Sequence, residues 1–199
     1  QIEIPETLDI PIKRQDKLIS ILSEKYFDDG HKKRVNFIRY LEANENELIH
    51  IFGKENYHQM NYYQSELKEN KKENHYINYK YCFSVENNSE YNYASEKIWE
   101  PILCECLPFY WGCPNLEEYI DHRAFVRLDL NNMEESLSII KKAIEEDWWS
   151  QRIDIIRKEK ERIINELGFL PVLHNIINEQ PLYNKYKVET SSKNIDKII

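Results

Sequence analysis

One stretch of this sequence gathers residue types that can hold a phosphate. Glu86-Asn87-Asn88 leaves an apolar run, and Tyr93-Ala94-Ser95-Glu96-Lys97 enters a segment with helical spacing. A serine directly before Glu-Lys can cap a helix, leaving free backbone N–H groups that point at the end of the preceding strand and attract anions. Lys97 adds a full positive charge there, and Glu96 can accept hydrogen bonds from sugar hydroxyls. The same letters also fit an ordinary capped helix with a solvated Glu-Lys pair, and residue types alone leave both readings open. Pro101 lies a little over one turn beyond Glu96, where an interior proline costs about 3 kcal/mol. Either a separate turn over Ser95–Trp99 precedes a helix with Pro101 in its first turn, or one helix is kinked. Both put Glu96 and Lys97 on a turn facing a cleft.

Such a loop needs a scaffold, and the apolar pattern supplies one. Lys17–Leu22, Leu48–Phe52, Lys80–Val85, Leu107–Trp111 and Ala124–Leu128 read as strands. Between and after them, Gly30–Leu41, Ser95–Glu105, Met133–Glu146, Trp148–Leu167 and Phe169–Ile177 carry helical spacing. Lys68–His75 is a charged run, expected as a solvated loop or helix end. Strands alternating with helices predict an α/β fold, Rossmann-like, with a mostly parallel sheet covered by helices on both faces. Ligands in such sheets bind beyond the carboxyl ends of the strands, so the informative loops follow Leu22, Phe52, Val85 and Trp111. Residues 1–16 read as a linker or domain-entry segment punctuated by Pro5 and Pro11, 17–180 as the ligand-binding domain, and 181–199 as a polar tail.

Composition narrows the function classes. The chain has 199 residues, 41% hydrophobic and 31% charged, enough for one globular core. A net charge of -8 gives no support to a nucleic-acid partner, whose footprint would be basic. No stretch is long and apolar enough to span a bilayer as a helix. Cys82, Cys104, Cys106 and Cys113 lack C-x-x-C spacing and read as structural thiols in a reducing, cytoplasmic compartment. His31, His50, His58, His75, His122 and His174 show no metal-ligand spacing, and no Asp-x-Asp occurs, so no metal is expected. Trp148-Trp149 reads most simply as core or interdomain packing, with stacking on a sugar the lesser alternative, and the Tyr57–Tyr63 cluster as either a wall for a nucleotide base or a solvent-facing loop.

Val85–Lys97 resembles the fucosyltransferase motif of glycosyltransferase family 10, in which a strand ends in F-E-N-S and leads to Y-x-T-E-K. Leu107-Pro108-Phe109-Tyr110-Trp111-Gly112-Cys113-Pro114-Asn115 is similar to the family's x-P-[VI]-[VY]-x-G-x-P-[NS], and Arg34-Val35-Asn36-Phe37 to its R-N-x-F. Asn88, Ala94 and Ser95 depart from the usual Ser, Val or Phe, and Thr. The resemblance covers roughly Lys17–Leu128 and implies the C-terminal, donor-binding half of a GT-B glycosyltransferase. It implies that Arg34 and Lys97 bind the diphosphate of GDP-fucose, that Asn87 and Tyr93 line the nucleotide and sugar, and that Glu96 steadies charge near the anomeric carbon. The reaction implied is an inverting transfer to a glycan or glycoprotein acceptor. Its general base is expected in an upstream acceptor-binding domain, outside this chain. A transferase for another nucleotide sugar and a non-catalytic binding module on the same fold are the alternatives. The loop Ser23–Arg34, with Gly30-His31 ahead of the cations, is closer to a bacterial or viral branch, and the Asn-Ile-Lys bias suits an AT-rich genome such as a giant virus.

Overall fold

Six strands form one sheet in the order β3-β2-β1-β4-β5-β6, with every neighbouring pair parallel. The computed structural model describes residues 13–67 and 71–177. The strands are β1 (Gln15–Leu22), β2 (Ile49–Gly53), β3 (Tyr63–Glu66), β4 (Tyr79–Val85), β5 (Leu107–Trp111) and β6 (Val126–Arg127). The helices are α1 (Asp29–Asn44), α2 (Glu73–Tyr76), α3 (Glu96–Leu103), α4 (Met133–Glu145), α5 (Trp148–Arg162) and α6 (Phe169–Ile177). Contacts divide the chain into two units, Gln1–Glu161 and Arg162–Ile199. The sheet belongs to the first unit, and α6 to the second. The entry segment expected at the N-terminus lies outside the described residues up to Ile12, as do residues 68–70 and the polar tail.

A parallel sheet is covered on both faces, which is why its central strands read as nearly unbroken apolar runs. Side chains alternate across a strand, and β4 displays the consequence. Cys82 packs with Tyr76 of α2 and with Cys104, just beyond α3. Its neighbour Phe83 meets Phe37 of α1, ring centroids 5.1 Å apart. On the same side as Phe83, Tyr81 donates its hydroxyl to the Ala143 carbonyl of α4 at 3.1 Å. Helices therefore cover opposite faces, and the core residues Leu18, Ile19, Ile49, Ile51 and Phe109 are fully shielded or nearly so.

The strand order reverses direction between β1 and β4. Crossovers from β1 run outward through β2 and β3, whereas β4 leads the other way through β5 to β6. At such a switch point the connecting loops diverge and leave a crevice beyond the C-terminal ends of the two central strands.

Several elements differ from the sequence expectation. The strand expected at Ala124–Leu128 shrinks to β6, because His122–Ala124 forms a 3-10 turn held by Asp121, which accepts from the Arg123 N–H at 2.9 Å. β3 was not foreseen: its sequence YQSE is mostly exposed at the sheet edge and carries no apolar signal. The helix expected through Leu167 ends at Arg162 and gives way to a wider π-turn over Ile163–Leu167. Pro101 sits inside a continuous α3, and its carbonyl accepts the Cys106 N–H at 2.8 Å. Trp149 packs far from the crevice, as its neighbours require. Arg14 and Lys80, near the N-terminal ends of β1 and β4, each lie 5.5 Å from its ring centroid, and its indole N–H donates to the Glu105 carbonyl.

Candidate functional site

The loop after β4 is organised by a residue to which the sequence reading assigned no role. Glu86 is fully buried, and a buried carboxylate is tolerated only when its oxygens are satisfied. One oxygen accepts the Ser95 backbone N–H at 2.9 Å, and the other the Ser95 hydroxyl at 2.5 Å. The Tyr110 hydroxyl donates at 3.4 Å, and the Lys97 ammonium stands 3.6 Å away. Two glycines make room. A Cβ at Gly112, whose φ is +155°, would fall 2.4 Å from Glu86 Cγ, and one at Gly30 would fall 1.8 Å from the Glu86 carbonyl oxygen. Gly30 also donates its N–H to the Asn87 carbonyl at 2.8 Å, docking the start of α1 against this loop.

Ser95 is the N-cap of α3, as its position before Glu-Lys predicts, but the free N–H groups expected there are largely used. Ser95 N–H goes to Glu86, Lys97 N–H to the Ser95 hydroxyl at 3.4 Å, and Ile98 N–H to the Ser95 carbonyl at 3.2 Å. Positive charge in the crevice therefore comes from side chains more than from the helix end.

The crevice at the switch point is a cavity of about 360 Å³. Arg34, Asn87, Glu96 and Lys97 all line it. Tyr93 does not: it is exposed on the loop, outside the cavity wall. Arg34 is buried, and its guanidinium donates to the Val85 carbonyl at 2.6 Å, tying α1 to the end of β4. Burial pushes its pKa down from the usual arginine value, opposed by the charge of Glu86. The Asn87 side-chain oxygen is buried without a hydrogen-bond partner.

Lys97 donates to Glu96 at 2.9 Å and to the Ser95 hydroxyl at 3.1 Å. Burial alone would raise the Glu96 carboxyl, but the hydrogen bond and charge of Lys97 outweigh it and hold the group below its ordinary range. Lys25, Lys54 and Lys72 add further cations to the wall, and Tyr57 lines it from the loop after β2. Lys72 pairs with Glu100 at 2.9 Å. Burial raises the Glu100 carboxyl, and this lysine only partly offsets it. Both sequence motifs meet at the loop between β4 and α3. Asn92, in the left-handed region at φ 62°, receives Asn115 Nδ2 at 2.8 Å and the Tyr119 hydroxyl at 2.6 Å, while Ser89 donates to the Gly112 carbonyl at 2.9 Å.

A cation-walled cavity at this switch point suits a nucleoside diphosphate, and comparison with known proteins decides the family. The sequence profile described as glycosyltransferase family 10 (fucosyltransferase) C-term matches residues 12–161. The chain belongs to this family. It is similar to an alpha-(1,3)-fucosyltransferase of Helicobacter pylori, 33% identical over 64 residues, which are 32% of this chain and 13% of that protein. It is also similar to a GDP-fucose protein O-fucosyltransferase 3 of Danio rerio, 26% identical over 88 residues, 44% of this chain and 19% of the relative. Its fold is that of an alpha1,3-fucosyltransferase crystallised with GDP (TM-score 0.55, 22% identity, 73% of this chain and 39% of that one). The crystal structure with GDP-fucose gives a TM-score of 0.56 at 23% identity, covering 73% of this chain and 40% of that one. The chain thus spans a fifth or less of those two sequence relatives and about two-fifths of the solved chains. Among the described residues, no group of three or more His, Cys, Asp or Glu side chains could hold a metal ion. No described helix is long and apolar enough to cross a membrane.

Proposed function

We propose that this chain is the donor-binding domain of an inverting fucosyltransferase, holding GDP-fucose in the crevice between β1 and β4. One observation carries the reading: Arg34 and Lys97, from two different helices, line one cavity at the switch point together with Asn87 and Glu96. When the acceptor hydroxyl attacks the anomeric carbon, negative charge grows on the departing diphosphate. Cations fixed before the ligand arrives stabilise that charge without reorganisation during the reaction. Arg34 and Lys97 fill this role, and Glu96, at the cavity mouth, holds sugar hydroxyls. Asn87, with an unpartnered acceptor oxygen, offers a further contact to the donor. Tyr93, exposed on a short loop, comes over the nucleotide only if that loop closes on the donor.

A general base must also deprotonate the acceptor. Glu86 is buried on Ser95, Glu96 is taken up by Lys97 and then by the donor sugar, and Glu100 pairs with Lys72, so we assign the base and the acceptor site to protein outside this chain. The four buried thiols suit work in a reducing compartment. Calorimetry with GDP in the presence of a chelator tests the donor reading: binding should persist without added metal. Loss of binding on chelation would replace the side-chain cations with a metal, and absence of binding under all conditions would overturn the reading. Incubation with GDP-fucose and a panel of glycan acceptors should give at most slow hydrolysis. Acceptor-dependent transfer would show that the base lies in these 199 residues.

A further inference from the structure

His31 is none of the residues assigned to the donor, yet it lines the same cavity. It lies in the first turn of α1, three residues before Arg34, and that spacing puts the two side chains on one helix face. It is 3% exposed, and its Nδ1 is buried without a hydrogen-bond partner. The Asp28 carboxylate stands 3.4 Å from Nδ1, but no hydrogen bond forms between them. Phe27 covers the ring, with centroids 4.9 Å apart. Native proteins leave few buried polar atoms unsatisfied, and each exception calls for an explanation, such as an ordered water, a bound ion or a catalytic use.

We propose that His31 is a further ligand of the donor, its Nδ1–H hydrogen-bonding an anionic oxygen of the diphosphate, and that it takes up a proton as the diphosphate binds. The proposal rests on the donor-site reading above. The surroundings identify the ligand class. Burial, followed by the charge of Arg34, pushes the His31 pKa down; Asp28 opposes this, and Lys25 and Lys97 add to the depression. The charged groups facing the ring thus come from its own helix (Arg34) and that helix's N-cap (Asp28), from the loop after β1 (Lys25) and from α3 (Lys97). Three cations against one carboxylate suit a polyanion far better than a sugar hydroxyl. A diphosphate neutralises those cations and adds negative charge beside the ring. Both effects raise the histidine pKa, so binding and protonation reinforce one another. Affinity is then greatest below the free-protein pKa and is lost as pH rises through the bound-state value.

The test is calorimetry of the whole chain with GDP near neutral pH, repeated in buffers of different ionisation enthalpy to count protons. His31→Asn and His31→Leu are compared with wild type, and thermal melts check folding. The nucleotide's own phosphate titration is common to all three proteins and cancels in the difference. Wild type should take up a fraction of a proton more than either variant. His31→Leu should bind GDP about tenfold more weakly, the scale of one charge-assisted hydrogen bond. His31→Asn, whose amide can still donate near the Nδ1 position, should recover part of that affinity but none of the proton uptake. If wild type binds GDP and His31→Asn matches it in proton uptake, the His31 proposal alone is overturned. If wild type does not bind GDP, the donor reading falls and takes this proposal with it. Should His31→Leu fail to fold, proton uptake by the Asn variant still decides.

Discussion

Removing the Glu86 carboxylate tests whether the loop that carries Glu96 and Lys97 is built as described. Glu86→Ala deletes the acceptors of the Ser95 N–H at 2.9 Å and the Ser95 hydroxyl at 2.5 Å, in a place water does not reach. Hydrogen bonds to a charged group contribute about 1.5–3 kcal/mol each, so two of them put the loss at about 3–6 kcal/mol. For a domain of this size each kcal/mol moves Tm by about 2–4 °C, giving a drop of about 6–24 °C. Glu86→Gln keeps an oxygen for the Ser95 N–H, and its amide can donate to the Ser95 hydroxyl, so it should cost only about 1–2 kcal/mol. Urea and thermal denaturation followed by circular dichroism measure both. GDP affinity should fall further for the Ala variant than for the Gln variant, since the start of α3 is no longer pinned. A Glu86→Ala protein melting within about 2 °C of wild type would refute the account, because so small a shift corresponds to less than one such bond.

Arg34 and Lys97 should separate in their effects. Either alanine variant should weaken GDP binding about 10–100-fold. Only Arg34→Ala should also lower Tm, since its guanidinium holds the Val85 carbonyl at 2.6 Å in the interior; an unchanged melt would remove its role as a strut. A pH effect is expected away from the cavity, at Glu105. Burial pushes its carboxyl up, but Lys160 at 3.0 Å and Arg157 at 3.2 Å outweigh this and hold it below the ordinary range. That contribution is present above the unfolded glutamate value of about 4.3 and is lost as pH falls through the lower folded value. Glu105→Gln should therefore melt below wild type near neutral pH, and the two curves should converge in acid; a gap that persists in acid would assign the loss to packing.

The sheet and the β4–α3 loop were legible in the sequence because both leave local marks. Buried parallel strands show as apolar runs, and Ser95 before Glu-Lys shows as a cap. β3 left none, since an exposed edge strand is held by backbone bonds to β2 and needs no apolar side chains. The burial of Arg34 was hidden for a different reason: a cation near the start of a helix reads as solvated unless the partner element is known. Glu86 lay inside the quoted motif, and its partner Gly112 lay inside the second motif 26 residues later. Only the fold shows that one glycine vacates the space that the other motif's glutamate fills. The placement of Tyr93 depends on loop conformation, which residue letters do not encode.

The buried strut and the diphosphate ligand assigned to Arg34 are compatible, and the geometry explains how. A guanidinium carries five N–H donors in a fixed fork, and the Val85 carbonyl takes one of them. That single bond orients the fork while donors remain for the cavity, so the charge is positioned before any ligand arrives. Lys97 works in the opposite way. Two of its three ammonium donors are engaged, by Glu96 at 2.9 Å and Ser95 at 3.1 Å, so a move toward an anion would draw on that pairing. On the proposed donor-site reading, such an exchange would loosen the hold on the Glu96 carboxylate beside the sugar. Under that proposal Glu96 would stay paired while the cavity is empty and would accept from the sugar hydroxyls once the diphosphate competes for Lys97.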